Sequence, residues 1–245
     1  MEYNDYYKYW FTRMEEIQQH IIPLYKEDIE EKRPVFVGTS VFINILGLNV
    51  ILTAAHVIDY ILPNRILYPH SENEFKELNY LEIRKLGQNY DIAICIINQT
   101  SLFYKPLGID LIDMFKGDEQ YQHLLVGCPA STTKHSNKNK QEIRFEGYLT
   151  NAASEKEYKR LKLDSTIKVV VKFQKENVFK ENMKKHQFYD PYGMSGGAIF
   201  QFSEMDVTNV KLVGIITDWD KNKKNVIIGT RIEKILESFT VYKIG

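Results

Sequence analysis

The apolar residues of this chain arrive in short runs, and that limits its fold more than any other feature. Val35-Phe36-Val37-Gly38-Thr39-Ser40-Val41-Phe42-Ile43 and Leu48-Asn49-Val50-Ile51-Leu52-Thr53 flank Gly47 and read as a hairpin. Asp91-Ile92-Ala93-Ile94-Cys95-Ile96-Ile97 is nearly all apolar and predicts a core strand. Weaker runs stand at Ile66–Tyr68 and Leu78–Ile83, and further strands are expected at Tyr121–Pro129, 143–150, 166–173, 210–217 and 225–230. So many short strands with turn residues between them belong to a β-rich architecture. A helix is expected at each end. Large apolar residues at 3, 6, 7, 10, 11, 14, 17 and 21 fall on one helical face, Pro23 interrupts it, and Glu27–Arg33 is a charged connector. Ile232–Phe239 is the second helix. The first helix packs on the strands or offers an aromatic face to a regulatory protein partner.

Charge is balanced at 32 basic against 32 acidic residues, which argues against nucleic acid or an anionic membrane as a partner. Two cysteines, Cys95 and Cys128, lie in apolar runs and make no disulfide framework, as suits a reducing compartment. The acidic start Met1-Glu2-Tyr3-Asn4-Asp5 has no signal-peptide core, and no apolar run approaches the ~20 residues that span a bilayer. A soluble cytoplasmic protein is expected. Ser131–Lys140 reads as a polar surface loop, and Lys172–His186 as a basic insertion with helical spacing at Val178, Phe179 and Met183.

The stretch Asp190-Pro191-Tyr192-Gly193-Met194-Ser195-Gly196-Gly197-Ala198-Ile199-Phe200 carries the chemistry. Glycines flank a serine in this way where the backbone turns sharply and aims a hydroxyl and N–H groups at one point. A serine hydroxyl is a weak nucleophile and needs a base. His56 closes the run Val50–Ala55, and Asp91 opens the next core run, so both sit at strand ends. An imidazole accepts and returns a proton, and a carboxylate on its other nitrogen fixes the tautomer. His20, His70, His123, His135 and His186 lack that context, and Asp59, Asp110 and Asp113 are fallback carboxylates.

Thr53-Ala54-Ala55-His56, Asp91-Ile92-Ala93-Ile94 and Gly193-Met194-Ser195-Gly196-Gly197, in that order, resemble the trypsin-like serine peptidases over roughly 35–235. The resemblance implies an all-β chymotrypsin-like fold of two successive six-stranded antiparallel β-barrels. Residues 1–33 would be the added helix and connector, 34–115 the first barrel with His56 and Asp91, and 116–245 the second barrel with Ser195 and the C-terminal helix. Phe115-Lys116-Gly117-Asp118 would cross between them. It implies an endopeptidase acting on protein or peptide through an acyl-enzyme, with Gly193 and Ser195 N–H groups as the oxyanion hole and neither cofactor nor metal. The substrate pocket would fall at Tyr189, Asp190, Tyr192, Thr217, Asp218 and Trp219, and Trp219 and Ile227, standing where open-pocketed members use glycine, would make it shallow. Met194 replaces the aspartate that zymogen-activated members carry, so the likeness is nearer the intracellular high-temperature-requirement branch, here without a PDZ module. Lys, Asn and Ile richness suits an AT-rich bacterial genome, and a short peptidase of that kind suits a defence effector. The competing expectation is a catalytically silent member used as a binding scaffold.

Overall fold

Strands form where the short apolar runs stand. The computed structural model describes residues 3–28, 30, 33–71, 74–98, 102–117, 120–131, 144–173, 178–179, 185–186, 190–220, 222 and 225–240. Its first half holds α1 (Tyr3–Gln18), β1 (Ile21–Asp28), β2 (Arg33–Ile45), β3 (Leu48–Ala54), α2 (Ala55–Ile61), β4 (Ile66–Ser71), β5 (Glu74–Glu77), β6 (Tyr80–Lys85) and β7 (Ile92–Ile97). After a 3-10 turn at Ile109–Leu111 come β8 (Tyr121–Gly127), β9 (Glu146–Asn151), α3 (Glu155–Leu161) and β10 (Lys168–Lys172). The short β11 (Val178–Phe179) and β12 (Lys185–His186) precede β13 (Ala198–Ser203), β14 (Asp206–Trp219), β15 (Val226–Arg231) and α4 (Ile232–Thr240).

The strands make two curled antiparallel sheets, ordered β5-β4-β1-β2-β3-β7-β6 and β10-β15-β14-β13-β8-β9. Each curls for a visible reason. The outer strands of the first, β5 and β6, are joined by Leu78 and Asn79 alone, so its edges must be neighbours. In the second, a bridge from Ala152 to Val171 ties the end of β9 to β10. The β2–β3 hairpin turns through Leu46 (φ 52°) and Gly47 (φ 85°), the two positive-φ positions of a type I′ turn.

The nearly unbroken apolar run of β7 follows from burial on both faces. Ile92, Ile94 and Ile96 enter a cluster shared by the two sheets, with Val41 and Leu52 on one side and Val126, Phe200 and Leu212 on the other. Ala93, Cys95 and Ile97 face the interior of the first sheet, with Phe42 and Ile51. A third cluster, around Leu125, Val169, Ile199 and Ile227, fills the second sheet. Segment 102–117 passes between the sheets, bridging Ile43 through Leu107 and Leu212 through Ile112. The crossover therefore starts before the expected Phe115, and Asp118 lies outside the described residues.

Three expectations change. Residues 21–28 form β1, inside the first sheet rather than in a connector, so that sheet has seven strands and not six. Pro23 is tolerated because β4 pairs with β1 only at Tyr25 and Lys26, which leaves Pro23 with one strand neighbour. The helical spacing at Val178 and Phe179 is not realised: they pair with His186 and Lys185 as a hairpin, and Met183 lies outside the described residues. Two short helices, α2 and α3, are additional. α1 lies against the second sheet, with Trp10 and Ile17 buried, the Trp10 ring 4.2 Å from that of Phe202, and the Tyr9 hydroxyl donating to Val207 O at 2.8 Å. Its apolar face at these positions is occupied from within the molecule. Among the described residues no helix is long and apolar enough to cross a membrane.

His123 on β8 is fully buried, with the Phe115 ring 5.2 Å away. Burial pushes its imidazole from 6.5 down to about 4. The unfolded chain therefore takes up this proton first as pH falls. Stability should be intact above about pH 6.5 and decline by about 3 kcal/mol toward pH 4. Urea midpoints at pH 7, 5.5 and 4 test this, and His123→Leu should remove that part of the decline. An equal decline in the variant would assign it to other groups.

Candidate active site

The register of one strand pair builds half of the site. β3 and β7 are antiparallel with Ala54 opposite Ile92, so the residues just past Ala54 and just before Ile92 leave the sheet at the same end. Those residues are Ala55 and His56, which open α2, and Asp91. Ala55 N–H donates to Asp91 O at 3.0 Å. The Asp91 carboxylate accepts twice from His56, from its backbone N–H at 3.1 Å and from Nδ1–H at 2.7 Å. An ionised carboxylate only accepts, so the ring donates through Nδ1, and in the neutral imidazole Nε2 is the accepting nitrogen. Asp91 takes a left-handed backbone, φ 53°, to reach this position. The side chains of His56 and Asp91 are 52% and 29% exposed.

The other half is the loop ahead of β13. Met194 N–H bonds Pro191 O, Gly197 N–H bonds Met194 O, and Gly196 N–H bonds Ile216 O on β14, at 2.7–2.9 Å. The carbonyls are tied to the first sheet: Ser195 O accepts from Thr39 N–H at 2.9 Å, and Gly193 O accepts from the Thr39 hydroxyl at 2.9 Å. That hydroxyl also accepts Cys128 N–H at 3.0 Å. The N–H groups of Gly193 and Ser195 remain, and neither has a partner among the described residues. Two glycines allow this close fit. A Cβ on Gly196 (φ 88°) would stand 1.8 Å from Thr39 O, and one on Gly38 would stand 2.8 Å from Val57 Cγ2 and 3.1 Å from Ser195 O. Strand β2 thus passes between the residue after His56 and the carbonyl of Ser195.

A cleft of about 530 Å³ is lined by His56, Asp91, Gly193 and Ser195 together. The expected triad is therefore gathered at one place. Ser195 Oγ has no hydrogen-bond partner among the described residues, so its bond to His56 is not formed. Such bonds are often long until substrate arrives. Asp59 pairs instead with Lys85, Asp113 with Lys116, and neither they nor Asp110 line the cleft. Burial pushes the Cys95 thiol up to about 12 and raises that of Cys128, so neither offers a thiolate. A wider groove of about 680 Å³ along α4 holds none of these residues.

Of the expected pocket residues, Tyr192, Thr217, Asp218 and Trp219 line the cleft. Asp190 is exposed ahead of Pro191 and is not among the residues that line it. Ile227 is fully buried in the second-sheet core, because alternation along β15 turns it away from the cleft. Tyr189 lies outside the described residues. Val35, Phe36, Val37 and Tyr60 also line the cleft and were not singled out, since their runs read only as a core strand and its flank. The turn after Trp219 is braced by α3, whose Arg160 pairs at 2.7 Å with the buried Asp220.

Gly196→Ala combines the clash at Thr39 with a backbone angle that alanine resists. It should cost at least ~2 kcal/mol by urea denaturation. A variant of unchanged stability would show that the loop can move off β2 without penalty.

Searches of protein-family models and of curated proteins find no match to this chain.

Proposed function

We propose that this chain is a serine endopeptidase with the chymotrypsin-like double-barrel architecture. One observation carries the reading: a His56–Asp91 pair bonded through Nδ1 shares a cleft with Ser195 and with the Gly193 and Ser195 N–H groups, which have no partner among the described residues. Ser195 Oγ attacks the substrate carbonyl carbon while its proton passes to His56 Nε2. The electron pair displaced onto the carbonyl oxygen is received by Gly193 and Ser195 N–H, where losing one donor costs on the order of 10²–10³ in rate. Asp91 stabilises the imidazolium. Collapse of the intermediate expels the amine, which takes the proton from His56. Water then repeats the sequence on the ester and frees Ser195.

The fold favours an extended peptide as substrate. β14 pairs with β13 only up to Ile215, and beyond Ile216 the residues Asp218 and Trp219 pair with β15 alone. Their other edge faces the cleft, where a peptide strand can add. The flanking walls are apolar and aromatic, from Phe36, Tyr60, Tyr192 and Trp219. The Asp218 side chain is exposed there, and its carboxylate makes no hydrogen bond or ion pair among the described residues.

A fluorophosphonate probe should label Ser195 in the wild-type protein and leave Ser195→Ala unlabelled at unchanged thermal stability. His56→Ala should slow labelling by at least about 10³-fold, because the groups act as a unit. Wild-type protein that never labels would sink the peptidase reading in favour of a binding scaffold, which the unformed Ser195–His56 bond keeps as the second reading. In a peptide library, cleaved sequences should carry a basic side chain that Asp218→Asn disfavours by roughly three- to tenfold. Cleavage indifferent to that substitution would place selection on the aromatic walls.

A further inference from the structure

The peptide joining Tyr90 to Asp91 is held from the opposite sheet. Lys168 opens β10, and Thr230 faces it across the ladder on β15. Lys168 Nζ donates to the Tyr90 carbonyl and to Thr230 Oγ1, each at 2.9 Å. The Thr230 hydroxyl donates to the same carbonyl at 2.5 Å. Both lone pairs of Tyr90 O are thus taken by donors of the second sheet. Thr230 is fully buried and Lys168 half-buried, at the head of the buried run Val169–Val171. Burial lowers the Lys168 ammonium, while Asp91 and Asp218 draw it back up. A charge held in such a place costs free energy unless it is paired and hydrogen-bonded. Here one bond goes to the carbonyl just ahead of Asp91 and the other to the hydroxyl that shares that carbonyl.

Asp91 is consequently fixed on both sides. The start of α2 holds its own carbonyl through Ala55 N–H, and the second sheet holds the preceding carbonyl. Between these anchors the backbone keeps the left-handed turn that aims the carboxylate at His56. We propose that Lys168, with Thr230, is a positioning residue of the site, orienting Asp91 toward His56 from across the sheet boundary and adding a positive charge behind the pair. The inference rests on the hydrolase reading only for its effect on rate.

Among the described residues, the charged groups near the histidine include Asp91 against its ring, Asp218 across the cleft, the Asp59–Lys85 pair at α2, Lys26 over the Tyr60 ring, and Lys168 behind Asp91. Removing the last of these cations makes the imidazolium easier to form. Lys168→Met should therefore raise the His56 titration midpoint, followed by NMR of the imidazole, by about half a pH unit. It should lower kcat about tenfold with KM nearly unchanged, and Lys168→Arg should restore the midpoint. Thr230→Val, which keeps the charge and nearly the shape, should lower kcat without moving the midpoint. An unshifted midpoint in Lys168→Met together with unchanged kcat in both variants overturns the proposal. A wild-type protein that resists the fluorophosphonate probe while its His56 midpoint still moves in Lys168→Met overturns the hydrolase reading and leaves the positioning role standing. If Lys168→Met does not fold, Thr230→Val decides alone, and unchanged kcat overturns the role.

Discussion

Thr39 is the contact on which the rest of the site depends. All of its polar groups are used at the junction of the two sheets: N–H to Ser195 O, hydroxyl to Gly193 O and from Cys128 N–H, and carbonyl from the Thr53 hydroxyl. It is fully buried, so each bond lost would leave a desolvated partner, at a cost of about 1–3 kcal/mol. This arrangement turns the carbonyls of the serine loop inward. The N–H groups of Gly193 and Ser195 are left pointing elsewhere because the loop spends its other donors on Pro191, Met194 and Ile216. A loop free of β2 could rotate those peptides and satisfy them internally.

The two halves meet through a core rather than a hinge. Ile92, Ile94 and Ile96 share one apolar cluster with Val126, Phe200 and Ile215, so strands of both sheets lose the same water. Polar contacts then fix the registration that apolar packing leaves loose. Thr39 reaches from the first sheet to the loop of Ser195, and Lys168 reaches from the second to the turn before Asp91. The exchange is reciprocal. Each sheet braces a part of the cleft that the other one carries, so separation of the sheets would disturb the Ser195 loop and the His56–Asp91 pair together.

Much of this was legible in the residue order because His56, Asp91 and Ser195 each stand where an apolar run starts or stops, and strand ends meet at sheet edges. The runs of β3 and β7 were plain for the same reason, being buried on both faces. β1 was hidden: Ile21 completes the helical spacing of α1, and Pro23 with Lys26, Glu27 and Asp28 looks like a connector, although Ile21–Tyr25 are all buried. α2 is too short for its periodicity to stand out from the strand it follows. The grip of Lys168 on Tyr90 O had no sequence signal at all, since side chain–backbone bonds across a fold leave no spacing to read.

What is built ahead of substrate, and what is not, bears on the proposed acyl transfer. The carboxylate–imidazole pair and the two N–H groups are held by backbone anchors, so orienting them costs little at the moment of reaction. The Ser195–His56 bond is the missing element, and both side chains remain open to solvent. A peptide strand laid along Thr217–Trp219 would cover that side of the cleft and displace water from around the imidazole. In the drier site the hydroxyl's best remaining acceptor is Nε2, since the Asp91 oxygens already receive His56. Substrate binding would thus supply the last hydrogen bond by removing its competitor. Cleavage efficiency would then depend on how completely the peptide covers the site as well as on the side chain at the cut.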